Sequence, residues 1–134
     1  MLLTRECDYG FRIVRQLADG GLRQMSSISE DESIPKQYCY KIVKKLERGG
    51  IVVSVRGRDG GYKLNKKISE FSLYDIVTSI IEDTTVNHCL KNGAVCSRNT
   101  DDEPCMVHAE LQRIQDVITR EMKSKTVSDV MQGK

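Results

Sequence analysis

Hydrophobic positions recur along this chain with two different periods, and the places where the period changes divide it into elements. From Thr4 to Asp19, Gly10, Ile13, Val14, Leu17 and Ala18 fall on one arc at 100° per residue, which predicts a first helix stopped by Gly20-Gly21. Ser27-Ile28-Ser29-Glu30 has the form of a capping box and predicts a short second helix. That helix ends by Ser33 or Ile34, because Pro35 restricts the residue before it and suits the first turn of a third. The third helix runs to about Arg48, with Gly49-Gly50 as its stop. The period then falls to two. Ile51, Val53 and Val55 alternate with Val52, Ser54 and Arg56, and Tyr62 and Leu64 repeat the pattern after Gly57-Arg58-Asp59-Gly60-Gly61, so two strands joined by a tight turn are expected. Helical spacing returns at Leu73, Ile76, Val77, Ile80 and Ile81, behind Ser72 as the start. Residues 83–103 carry no period. After them Asp102 or Glu103 can cap, Pro104 suits the first helical position, and a long helix to about Lys125 shows a seam of Val107, Leu111, Ile114, Ile118 and Met122. Thr126-Val127-Ser128-Asp129 starts a last short turn.

The third helix separates into two faces. Cys39, Ile42, Val43 and Leu46 form a narrow apolar stripe, while Gln37, Tyr40, Lys41 and Lys44 point away from it. A lysine-rich outer face is commonly only solubilising, but here a basic hairpin follows, with Arg56, Arg58 and Lys63 around its turn. Three helices and a basic two-stranded hairpin make a winged helix-turn-helix. In that arrangement the third helix enters the major groove, Gln37 and Tyr40 reach base edges, Lys41 and Lys44 reach phosphates, and the wing carrying Arg56 and Arg58 meets phosphate or the minor groove. The glycine-rich turn is a poor nucleotide cradle, because such loops open onto a helix N-terminus and this one runs into a strand. The expected class is mainly α with a small β-wing: residues 1–68 as the winged helix-turn-helix, and residues 69–134 as a cysteine-bearing loop with a long dimerisation helix. The seam of that helix buries itself on its own subunit or on a symmetry mate. The mate is preferred, since a winged helix reading a palindrome in double-stranded DNA works as a homodimer.

Charge sharpens this division. The 134 residues have a net charge of +2, but residues 1–70 carry 14 Lys and Arg against 9 Asp and Glu, while residues 71–134 carry 7 against 10. The basic half is the one with the hairpin. With no stretch near the ~20 apolar residues of a membrane span and no apolar run at the start, the expectation is a cytoplasmic protein with no membrane partner. Nothing in the pattern pairs a nucleophile with a base, so no enzyme is expected.

Five cysteines without an export signal point to thiol or metal chemistry rather than to a disulfide framework. Cys7 falls on the apolar arc of the first helix and Cys39 on the stripe of the third, both as small buried hydrophobes. Asp8 lies beside Arg12 as the acid of an i,i+4 pair. Cys89, Cys96 and Cys105 are separated by seven and nine positions, and His108 follows Cys105 by three, in the first turn of the long helix if Pro104 opens it. Three sulfur ligands on a loop closed by a helix end suit an iron-sulfur cluster or a zinc ion. Zinc sites generally show a short C-x2-4-C knuckle, which is absent here. Thiol switching without a metal, and His88 as a spare ligand or a surface residue, stay open.

The helix-turn-helix, the wing Ser54-Val55-Arg56-Gly57-Arg58-Asp59-Gly60-Gly61-Tyr62-Lys63-Leu64 and the late three-cysteine loop together resemble the Rrf-type bacterial regulators, whose iron-sulfur members include the IscR and NsrR types. The resemblance covers nearly the whole chain and is most specific in the wing. It implies a homodimer on a palindromic operator, with a cluster near the dimer helix that controls binding and Cys89, Cys96 and Cys105 as its thiolate ligands. By the same resemblance Cys105 with His108 matches the Cys-x-x-His of the type whose histidine completes a 2Fe-2S site. Asp8 matches the acidic residue that, in the other type, completes a cluster from the partner subunit, so a 4Fe-4S cluster is the alternative. The gap between Cys96 and Cys105, with Asp101, Asp102 and Glu103, is longer than the family's usual one.

Overall fold

A computed structural model describes residues 3–134. The elements are α1 (Arg5–Gln16), α2 (Met25–Asp31), α3 (Lys36–Arg48), β1 (Val52–Val55), β2 (Gly61–Leu64), α4 (Leu73–Ile80), a 3-10 turn (His88–Leu90), α5 (Met106–Lys123) and α6 (Val127–Met131). The strands pair antiparallel with Val52 opposite Leu64 and Val55 opposite Gly61. This is the mainly helical winged-helix class that the sequence predicts.

The apolar arcs do what their spacing implies. Ile13, Val14 and Leu17 of the first helical segment, Ile42, Val43 and Leu46 of α3, and Ile76, Val77 and Ile80 of α4 form one buried cluster, which Phe71 and Val127 also join. The core is therefore continuous across residue 68. Burial of such side chains, each stabilising by about 1.5–3 kcal/mol, is the main force holding α1, α3 and α4 together. Gly10 is what lets α4 approach α1: a Cβ there would stand 2.1 Å from the Ile80 Cδ1 atom. At the other end of the core, α3 stops in a Schellman motif. Gly50 takes φ +75°, its N–H donates to the Glu47 carbonyl at 3.0 Å, and the Ile51 N–H donates to the Leu46 carbonyl at 3.0 Å. That motif turns the chain directly into the wing.

Two helix starts differ from expectation. Ser27 does not cap α2; Gln24 holds the cap position and Ser27 lies one turn inside. The reason is a long-range tie, since Arg23 and Tyr62 exchange both backbone hydrogen bonds, at 2.9 and 2.8 Å. The chain leaves that bridge at Gln24 and coils at once. In the same way α5 starts after Cys105, not at Pro104. Thr100 and Glu103 close a turn of their own, in which the Glu103 N–H donates to the Thr100 hydroxyl at 3.0 Å, and the Cys105 N–H donates to Asn99 Oδ1 at 2.9 Å. That turn carries the chain past Glu103 and Pro104, and the Cys105 side chain takes the cap by accepting from the His108 N–H. The remaining starts agree: Thr4 caps α1, and Ser72 with Asp75, like Thr126 with Asp129, forms a reciprocal capping box. Beyond α5, the Val127 and Ser128 amides donate to the Phe71 and Ile68 carbonyls, which fastens α6 to the wing-side edge of the core.

Candidate nucleic-acid interface and cysteine segment

On α3 the apolar stripe faces inward, with Cys39, Ile42, Val43 and Leu46 fully buried. Gln37, Tyr40 and Lys41 are exposed and Lys44 is half-buried, so the face proposed for DNA is presented outward beside the wing. Burial pushes the Cys39 thiol up to about 11, which fits its place as a core residue.

The cations of this face are not equivalent. Arg56 and Arg58 on the wing are exposed and form no ion pair among the described residues. The lysines of α3 are already engaged. Lys44 pairs with Glu47 at 3.2 Å and lies 5.6 Å from the Tyr40 ring centroid and 5.9 Å from that of Tyr62. Glu47 also accepts from the Ser54 hydroxyl at 2.8 Å; these hydrogen bonds, Ser54's first, hold its carboxyl below the usual range. Glu47, Lys44 and Tyr62 thus lock helix to wing across a cleft of roughly 430 Å³. Lys41 donates to Glu6 of α1 at 2.5 Å, and Lys45 donates to the other oxygen of the same carboxylate at 2.7 Å.

The turn between α2 and α3 is fixed from below. Glu32 is buried, accepts from Gln16 Nε2 at 2.9 Å and forms an ion pair with Arg15, while Arg12 donates to the Glu32 carbonyl at 3.2 Å. Burial alone would raise the Glu32 carboxyl, but the bonds from Arg15 and Gln16 outweigh it and hold it below its ordinary value. Sequence reasoning passed over Glu6, Glu32 and Glu47. Only the Lys44–Glu47 spacing of three was visible along the chain; the partners of Glu6 and Glu32 lie 35 and 17 residues away.

The cysteine segment is built differently. Cys89 sits half-buried in the 3-10 turn and its sulfur accepts from Asn87 Nδ2 at 3.4 Å; Cys96 is exposed. Cys105 is the cap of α5, where its sulfur accepts from the His108 backbone N–H at 3.4 Å. The His108 Nδ1 atom is buried and has no hydrogen-bond partner among the described residues. Asp8 is paired with Arg12 at 2.9 Å, on the outer side of α1. The donor chemistry of three thiols and an orphaned imidazole nitrogen suits an iron-sulfur cluster, but among the described residues no three Cys, His, Asp or Glu side chains are gathered as a metal site. Cys105 and His108 are the pair that one element brings together. Along α5, Leu111, Ile114, Ile118 and Met122 are half-buried, with Met122 packed on the core, and Val107 is 67% exposed. No helix is long and apolar enough to cross a membrane among the described residues.

Comparison with known proteins bears on both regions. Residues 3–133 match the family model for Rrf2, described as an iron-dependent transcriptional regulator. A helix-turn-helix-type transcriptional regulator of Haemophilus influenzae is 35% identical over 104 residues, covering 72% of this chain and 69% of that protein. Among solved structures, CymR, the global cysteine regulator of B. subtilis, superposes with a TM-score of 0.77 at 22% identity, over 100% of this chain and 98% of that one. IscR of T. potens superposes with a TM-score of 0.74 at 20% identity, over 99% and 88%.

Proposed function

The chain belongs to the Rrf2 family of DNA-binding transcriptional regulators, and from that premise we propose that it is a homodimeric repressor whose affinity for a palindromic operator is set by an iron-sulfur cluster. The observation that carries the DNA part is the two-faced α3 beside a wing whose exposed Arg56 and Arg58 form no ion pair among the described residues. Gln37 and Tyr40 read base edges, Lys41 and Lys44 take phosphates, and Arg56 and Arg58 anchor the wing. Arg56→Ala should weaken operator binding about tenfold or more, and Lys44→Ala should reduce the salt slope by about 0.9. Wild-type affinity and slope in both variants would remove this assignment.

Cys89, Cys96 and Cys105 are the proposed thiolate ligands. The support is the orphaned Nδ1 of His108, one turn from Cys105, together with the iron-dependence in the family's description. A bound cluster would supply a redox-sensitive link between those thiolates. Asp8 of a second subunit is the alternative fourth ligand, and it would have to leave Arg12. Anaerobic purification followed by iron, sulfide and zinc analysis and a visible spectrum tests the cluster. His108→Ala should perturb the spectrum and Asp8→Ala should not; the reverse points to Asp8, and a colourless, zinc-replete protein overturns the cluster.

A second reading follows from the exposure of Cys96 and the ungathered thiols: a regulator switched by cysteine oxidation, or by zinc, with no cluster. Its support is fold likeness to the oxidized form of Staphylococcus aureus CymR, at a TM-score of 0.72 and 23% identity. The same metal and sulfide analysis separates the two.

A further inference from the structure

The carboxylate of Glu6 sits between two lysines of the same helix, and the two are held very differently. Lys45 is 21% exposed and has two acceptors, a Glu6 oxygen at 2.7 Å and the Ile80 carbonyl at 3.0 Å. Lys41 is 53% exposed and its one acceptor is the other Glu6 oxygen. Glu6 itself is 25% exposed, at the start of α1 where an acidic side chain is favoured. The carboxylate is thus anchored on its Lys45 side and exchangeable on its Lys41 side, because an exposed ion pair contributes at most about 1 kcal/mol and an incoming phosphate can compete with it.

We propose that Glu6 is an affinity-setting residue of the DNA interface: it competes with DNA phosphate for Lys41 and so withholds one cation of the recognition face from sequence-independent binding. The idea rests on α3 presenting Lys41 to DNA. The physical consequence is a lower background affinity. Sequence-independent binding grows with each phosphate neutralised, and a lysine satisfied inside the protein contributes little to counterion release until its internal partner gives way. Lys45 keeps the carboxylate in place throughout, with the Ile80 carbonyl as its second hold.

The test is a double-mutant cycle on the full chain, using a labelled duplex of arbitrary sequence about three turns long and reading affinity against salt. Glu6→Gln should tighten binding about three- to fivefold, the size of one exposed ion pair, and steepen the salt slope by up to about 0.9. In a Lys41→Met background the same change should gain neither. The amide oxygen of the glutamine still accepts from Lys45, and the slope does not depend on the active fraction, so a partial loss of fold does not hide the result. An unchanged slope in Glu6→Gln overturns the proposal. So does a gain that persists without Lys41, which would reflect only the lost negative charge. If Lys44→Ala and Arg56→Ala also leave binding unchanged, it is the placement of the DNA face that has failed instead.

Discussion

The two parts of this molecule differ in whether they bury themselves. Residues of α1 to α4 and the start of the wing supply nearly all of the core, including Cys7, Ile13, Leu17, Ile28, Ile42, Leu46, Ile51 and Ile76 at no more than 1% exposure. From Ile81 to Thr126 no residue is buried. The first part holds α3 with packed side chains and with the carboxylates of Glu6, Glu32 and Glu47. The second part has half-buried and exposed side chains, with Cys89 and Cys105 half-buried and Cys96 exposed. The second subunit and the group bonded to Cys89, Cys96 and Cys105 proposed above would each add burial or bonds to this part. A regulator gains from that asymmetry, since the region of low intrinsic stability is the one a signal can reorganise.

The strongest way to break this comparison is to attack the seam of α5. Leu111→Asp with Ile118→Asp should leave the winged helix folded, because both residues are only half-buried in the single chain, while costing a dimer several kcal/mol by placing two unpaired charges in its interface. Sedimentation should show a folded monomer. Loss of the whole fold would show that the seam belongs to the subunit's own core, and an intact dimer would place the interface elsewhere.

A single truncation in the first part sharpens the same contrast. Ile13→Ala removes a fully buried side chain from the middle of the core and should destabilise by about 3 kcal/mol, whereas Val107→Ala, at a position 67% exposed, should change stability by under about 0.5 kcal/mol when measured on the monomer. Thermal or urea unfolding of the two variants reads the difference directly.

What was legible in the sequence follows the same line. The arcs of α1, α3 and α4, the Gly49-Gly50 stop, the hairpin and the later helix starts at Ser72 and Thr126 are local or periodic features, and each appears where its pattern places it. The start of α2 was misplaced because it is fixed by the Arg23–Tyr62 bridge, a contact across the fold that competes with the local Ser27 cap. The start of α5 moved for a local reason of its own, the Thr100–Glu103 turn. At the DNA face, spacing showed which residues of α3 point outward but not that Lys41 and Lys44 were already partnered. Glu6 reaches Lys41 only because α1 and α3 pack together. The cysteines proposed as ligands were readable as chemistry and not as geometry, since nothing along the chain fixes how a segment without a core folds.

A smaller effect than that of Ile13→Ala is expected at Glu32, and it tests how far the first part depends on ionised groups. Its carboxyl is held below the ordinary glutamate value by Arg15 and Gln16 despite burial. A folded-state value below the unfolded one means that the ionised form favours folding: the contribution is complete above about pH 4.5 and is lost as pH falls through the folded-state value. Arg15 is 64% exposed and can be rehydrated when its partner is neutralised, so Glu32→Gln should cost only about 1–2 kcal/mol at pH 7. As pH falls through the folded-state value, itself below the ordinary glutamate value, the variant and the parent chain should converge, because protonation then removes from the parent what the substitution removed from the variant. Urea unfolding across a pH series falling from pH 7 reads this as a gap that closes on acidification. A gap that stayed constant would mean that Glu32 acts through shape and neutral hydrogen bonds, and that the turn before α3 is held by packing alone.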